Sequence, residues 1–235
     1  MIPKIIHYCW YGGDNNKDKI SCACIKTFKK AFDAERIIEW NESNCDLHAN
    51  KYVEDAANLR KWAFVSDFFR LKALYELGGV YFDTDIKVRK PFEASWFDKD
   101  LVLAYEYEKV ASAGVIMAKP GHPFIKKMLD EYETMPLDVN IPNNHLMTRL
   151  LQEYYPNFIV TGETTDLGEN EVIFERHFFE LPTLDKSKGY TIHYFNSSWH
   201  VHKIAWKQKL RPVLKWLQFH CFLFNWWYKN YFQKH

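Results

Sequence analysis

No acidic residue follows Asp185 in this 235-residue chain, although the chain contains 30 of them. Nine of its 31 basic residues do lie beyond that point: Lys186, Lys188, Lys203, Lys207, Lys209, Arg211, Lys215, Lys229 and Lys234. Residues 1–185 therefore carry 22 basic against 30 acidic groups, a formal charge of −8, and the remainder carries +9. A net charge of +1 hides this split, which points to a tail that meets something anionic. Also missing is any Cys-x-x-Cys pair. The five cysteines (Cys9, Cys22, Cys24, Cys45, Cys221) are odd in number, and Cys22-Ala-Cys24 has no matching second pair. A zinc site is thereby disfavoured, and free thiols in a reducing cytoplasm are expected. The opening MIPKIIHYCWYGG has one lysine and too short an apolar run for a signal peptide. No stretch of membrane-spanning length is free of charge. Internal repeats, low-complexity linkers and a Gly-rich phosphate loop are absent too. These absences leave one α/β domain, with a hydrophobic fraction of 47% to build its core, and a small appendage.

The densest signal lies in WAFVSDFFRLKALYELGGVYFDTDIKVRKP, from Trp62 to Pro91. Apolar residues recur at Phe64, Phe68, Leu71, Leu74 and Leu77, a helical period. Gly78-Gly79 ends the helix, because glycine accepts backbone angles that other residues resist. Val80-Tyr81-Phe82 favours a buried strand. Asp83-Thr84-Asp85 then places two carboxylates at the strand's carboxyl end, a costly arrangement unless a positive group joins them. The fitting partner is a hard divalent cation shared with a substrate diphosphate, and open α/β sheets bind ligands at that edge. An acidic solvated turn is the plainer reading of the triplet alone. Asp67 and Arg70, three apart on one helix face, can point into the same cleft.

The run AFVSDFFRLKALYELGGVYFDTD resembles the signature region of glycosyltransferase family 32, the DXD-containing sugar transferases. That group includes capsular-polysaccharide and mannosyl transferases and is related to the glucosylating domains of large clostridial toxins. The resemblance implies a GT-A-type α/β fold, with a mixed central sheet flanked by helices, over residues 1–202. It implies a Mn²⁺ or Mg²⁺ ion and a nucleotide-diphosphate sugar, with a UDP-sugar expected as donor. Transfer is to a glycan or lipid-linked acceptor with retention of configuration, in surface polysaccharide synthesis. Asp83 and Asp85 would bear the metal, Arg70 would steady the donor, and Asp67 would bond sugar hydroxyls. The opening strand and Trp10-Tyr11-Gly12-Gly13 resemble the family's I-H-x-x-W-x-G-G, which implies that Trp10 stacks on the base and that His7 or Tyr8 lines the same pocket. Near the far end, YTIHYFNSSWH resembles the close of related metal-dependent transferases. That nominates His193 as third ligand, with His200 as competitor, and sets Ser198 and Trp199 near the diphosphate. A buried histidine with purely structural partners is the rival reading.

Other elements follow from pattern. Strands are expected at Lys4–Cys9, Arg36–Trp40, Ile86–Val88, Leu101–Tyr105 and Ser112–Ala118. Helices are expected from Cys22, capped by Ser21, from Lys51 to Leu59, from Pro123 and from Asn143. Gly114 has no side chain, so a sugar can approach its backbone; where Ser112 stands, family members often carry Asn. His122 suits packing at a helix start. Asn144 is either part of an ordinary N-cap or a group facing the transferred sugar. Loops at residues 106–111 and 136–142 are expected to set specificity.

Residues 203–235 form a basic, aromatic helical appendage, read as lying in an anionic membrane interface on the inner face of the membrane. Packing on the domain is the alternative, and nucleic acid is not expected as a partner. Two further functions use similar acids: a metal-dependent nucleotidyl or phosphoryl transferase, and a non-catalytic sugar-nucleotide-binding module. A host-modifying effector and a glycosidase fit less well; Asp83 and Asp85 are too close in sequence to flank a glycosidic bond.

Overall fold

The computed structural model describes residues 1–107 and 109–195. The expected appendage, the boundary after residue 202, and Ser198, Trp199 and His200 lie outside them. The described elements run β1 (Ile5–Cys9), α1 (Lys19–Ile25), β2 (Arg36–Trp40), α2 (Lys51–Asn58), α3 (Trp62–Leu77), β3 (Gly79–Phe82), β4 (Ile86–Val88), β5 (Leu101–Tyr107), β6 (Val110–Ala118), α4 (Pro123–Thr134), α5 (Asn143–Tyr154), β7 (Thr165–Gly168), β8 (Glu171–Phe174) and β9 (Thr191–His193).

Seven strands form one sheet in the order β2-β1-β3-β6-β5-β8-β7. β1 pairs in parallel with β2 and β3, and β5 with β8, whereas β6 runs antiparallel between β3 and β5. The carboxyl ends of β1, β2, β3, β5 and β8 thus share one edge. Alternate residues of the central strands feed two cores. Tyr81, Leu103, Tyr105 and Ile116 face the helices α2 to α5. Val80, Phe82, Val102 and Met117 face an aromatic layer built from Phe28, Phe92, Trp96 and Phe179. Burial on both faces is what the nearly unbroken apolar strands require.

Helix α3 is central because it is apolar almost all round. It buries Phe64, Val65, Phe68, Phe69, Leu71 and Leu74, each of the large ones worth about 1.5–3 kcal/mol. Directly after it, β3 enters the sheet, and β4 leaves to pair antiparallel with β9 in a separate two-stranded sheet.

Three local expectations are corrected. Asp18, not Ser21, caps α1: its carboxylate accepts from the amides of Ile20 and Ser21, and the helix stops at Ile25. β5 and β6 continue through most of the loop expected at 106–111, reaching Tyr107 and Val110, since pairing between them outweighs the polar sequence. The cap of α5 is Pro142 without a side-chain bond, which frees Asn143 and Asn144 for distant partners. Cys9, Cys22, Cys24 and Cys45 are free.

Candidate active site

At the carboxyl end of β3 the chain makes a tight turn. The Asp83 amide donates to the Gly114 carbonyl at 2.8 Å, and the Ile86 amide returns to the Asp83 carbonyl at 3.0 Å. Register between β4 and β9 sets Ile86 opposite His193, so the imidazole arrives beside the acidic triplet from more than a hundred residues away in sequence. Ligand atoms of Asp83, Asp85 and His193 all lie within 4.8 Å of one another. His193 Nε2 is 3.1 Å from Asp85 Oδ1, and its Nδ1 is 2.6 Å from Glu180 Oε2.

Arg70 reaches the same place from α3. It contacts Asp67 Oδ1 at 2.9 Å and Asp83 Oδ1 at 3.3 Å, donates to the Ala113 carbonyl at 2.8 Å, and lies 4.8 Å over the Tyr81 ring. Tyr81 donates its hydroxyl to Asp83 at 2.9 Å. Arg70 is 5% exposed. These inward contacts make it a clamp on both acids. Asp67 in turn accepts from the Asn143 amide at 3.1 Å, and Asn144 donates to Glu106 at 2.8 Å. Asp67, Asn143, Asn144 and Glu106 thus form a run of polar contacts beside Arg70.

The charges are held under tension. Burial raises the pKa of Asp83; Arg70 opposes this, Asp85 adds to it, and His193 opposes it. Burial pushes Asp67 up to about 6 despite Arg70. Burial also works against a charged His193, yet Asp85 and Glu180 outweigh it and hold that ring well above the ordinary histidine range. Three carboxylates thus crowd one imidazole. Two carboxylate oxygens and an imidazole nitrogen fit a borderline-hard dication such as Mn²⁺, and the occupation of Nδ1 by Glu180 leaves Nε2 on the side of Asp85.

Trp10 follows β1 at the same edge, part-exposed, with its indole N–H donating to the Gly13 carbonyl at 3.1 Å. His7 does not line a pocket. It is fully buried, with Nε2 2.8 Å from the Gly78 carbonyl and Nδ1 accepting from Trp40 at 3.1 Å. Tyr8 is buried as well, with its hydroxyl donated to Glu39 at 2.6 Å. Gly114 lies beside the His193 ring, where a Cβ would stand 3.4 Å from Cε1 and Nδ1, an ordinary contact distance. His122 is buried, caps α4 and lies 2.7 Å from Glu171.

Sequence reasoning missed Glu180 and Tyr81 as partners in the site, and it read Glu106 only as the start of a loop and Asn143 only as a neighbour of Asn144. Glu180 had one detectable signal: it is a lone acid in the run HFFELP, where an unpartnered carboxylate would be costly. A second Asp-x-Asp, Asp98-Lys99-Asp100, precedes β5 at the opposite edge of the sheet, and Asp100 pairs there with Lys119 at 2.6 Å.

Residues 17–103 match the family described as a glycosyltransferase sugar-binding region containing a DXD motif. The chain is 26% identical over 179 residues to an uncharacterised glycosyltransferase of Acanthamoeba polyphaga mimivirus, across 72% of this chain and 70% of that protein. Among solved structures, the PaToxG glycosyltransferase aligns with a TM-score of 0.53 at 22% identity, over 66% of this chain and 70% of that one. With Asp83-Thr84-Asp85 inside the matched segment and the strand ends around it, the chain has a GT-A-type fold and is similar to the DXD glycosyltransferases of family 32.

Proposed function

We propose that the chain transfers a hexose from a UDP-sugar to a glycan or lipid-linked saccharide, with retention of configuration, in a Mn²⁺- or Mg²⁺-dependent reaction of surface polysaccharide assembly. The observation that carries this reading is the meeting of Asp83, Asp85 and His193 within 4.8 Å at the carboxyl edge of β3. Those three side chains would hold the cation, and the imidazole favours Mn²⁺ over Mg²⁺. A cation bound there supplies positive charge against the diphosphate as the sugar departs.

The remaining work falls to the chain. Trp10, at the end of the strand beside β3, offers an aromatic face to the base. Arg70 fixes the Asp83 and Asp67 carboxylates. Asp67, Asn144 and Glu106 present acceptors and donors for hydroxyls of the transferred sugar. Ser198 and Trp199 follow His193 in sequence and are assigned to the diphosphate. The basic aromatic tail would hold the enzyme at the cytoplasmic face of a membrane, near a lipid-linked acceptor.

Titration of Mn²⁺ and UDP into wild type and Asp85→Asn tests the core of this reading, alongside release of free sugar from a panel of nucleotide-sugars. Wild type should bind Mn²⁺ and turn over a UDP-sugar only with metal. The variant should lose more than about 100-fold in Mn²⁺ affinity, beyond the loss typical for residues that merely support a ligand. Equal binding by both proteins would remove the acidic triplet from the chemistry.

A further inference from the structure

Behind His193 lies a set of buried polar groups that the transfer itself does not use. Glu180 is 0% exposed, a position where an ionised carboxylate is expensive unless its oxygens are fully bonded. Its Oε2 lies 2.6 Å from His193 Nδ1. Its Oε1 accepts from the Ser112 hydroxyl, which is also 0% exposed. The main chain repeats the link: the Glu180 carbonyl accepts the His193 amide at 3.0 Å. Ser112 is itself anchored, its oxygen accepting from the Gly114 amide at 3.0 Å.

The faces of the ring are equally constrained. Phe195 stacks on one at 4.0 Å between centroids and 19° between planes. Gly114 is close as well, with a notional Cβ at ordinary contact distance, 3.4 Å from Cε1 and Nδ1. A neutral imidazole has one N–H and one lone pair, and it can ligate only through the nitrogen that lacks the proton.

We propose that Glu180 is a positioning residue for cation binding. Its carboxylate accepts the Nδ1–H of His193, so that the lone pair sits on Nε2 toward Asp83 and Asp85, and Ser112 keeps the carboxylate turned to that task. The inference rests on reading the Asp83, Asp85 and His193 cluster as a cation site. Such outer partners of a ligating histidine fix both its ring orientation and its tautomer.

The test uses the full chain and Mn²⁺ alone, without nucleotide, with free Mn²⁺ followed by electron paramagnetic resonance. Glu180→Gln keeps the side chain's size but has one acceptor oxygen for two donors. It should bind Mn²⁺ about 10–100-fold more weakly than wild type, and Ser112→Ala should weaken binding by a smaller factor. Should wild type bind no Mn²⁺, the proposed function fails and this inference with it. Should wild type bind while Glu180→Gln binds equally well, only the role of Glu180 is overturned. A second measurement needs no variant. In ¹⁵N-labelled wild type loaded with ¹¹³Cd²⁺, the metal–nitrogen coupling of His193 should fall on Nε2, with the proton retained on Nδ1. A carboxylate that merely ties β9 to the sheet does not dictate that choice, and coupling through Nδ1 would refute the assignment.

Discussion

His7 is fully buried and the His193 side chain is 11% exposed, and for both burial alone favours the neutral ring. Their partners separate them. His193 faces two carboxylates, which hold its proton firmly. His7 has the carbonyl of Gly78 and the indole of Trp40 beside it; burial lowers it to about 4, the Gly78 bond opposes this, and Arg36 adds to it. The consequence for stability has a definite sign. Between pH 6.5 and 4 the unfolded chain takes up a proton at position 7 that the folded chain refuses, so stability is lost as pH falls through that window. A depression from 6.5 to about 4 corresponds to about 3 kcal/mol. Urea unfolding at pH 7 and pH 4 should show wild type losing about that much more than His7→Gln; parallel losses would mean that His7 titrates normally in the fold. Comparison with the variant also cancels the opposite trend from Asp67, whose raised pKa favours the folded chain as pH falls.

The junction of α3 and β3 determines whether these residues ever meet. Gly78 has φ 63° and ψ −173°, a region essentially reserved for glycine. A Cβ there would lie 2.6 Å from Pro120 Cδ, 2.7 Å from the Pro120 nitrogen and 2.9 Å from Pro3 Cδ. The sharp exit drops the chain from helix straight into strand, so that Arg70 on the helix and Asp83 past the strand end face each other at 3.3 Å. Gly78→Ala should therefore combine backbone strain with overpacking and cost more than about 3 kcal/mol. Gly121→Ala serves as the contrast, because Gly121 has φ 69° but no heavy atom within 4 Å of its notional Cβ. That variant should cost only the left-handed strain, about 1–2 kcal/mol. Similar denaturation midpoints for the two variants would show that the Pro120 and Pro3 contacts do not matter. This junction was legible in sequence, since helical spacing, paired glycines and an acidic triplet are all local signals. Glu180 was not legible as a partner, because Ser112 is 68 residues away and the contact exists only once β6 and β9 are in place. The same holds for Asn143, whose sequence position signals a helix cap but whose amide goes to Asp67, 76 residues away. His7 reads as open to a ligand because sequence shows which edge of the sheet a residue nears, not what has already filled the space beside it.

Charge is the property that belongs to the chain as a whole. Residues 1–185 carry −8, which places a repulsive body in front of any anionic surface, and the +9 of the rest is the opposing element. No helix among the described residues is long and apolar enough to cross a membrane. The residues after Lys203 contain six basic groups (Lys207, Lys209, Arg211, Lys215, Lys229 and Lys234) interleaved with Trp, Phe, Leu and Tyr. At about 1 kcal/mol per basic group, they would supply up to about 6 kcal/mol at low salt if the segment meets anionic lipid, before the aromatic rings contribute. Removing the segment after Lys203 should therefore abolish co-sedimentation with phosphatidylserine-rich vesicles, a loss of about four orders of magnitude in partitioning at most. Because the attraction acts over a Debye length of about 10 Å at 0.1 M salt, full-length binding should also weaken as salt is raised. Neutral vesicles separate the two components, since only the aromatic contribution survives there. Equal recovery of the full and shortened chains on anionic vesicles would assign the segment to packing within the protein, leaving the acidic body to find its acceptor without a membrane.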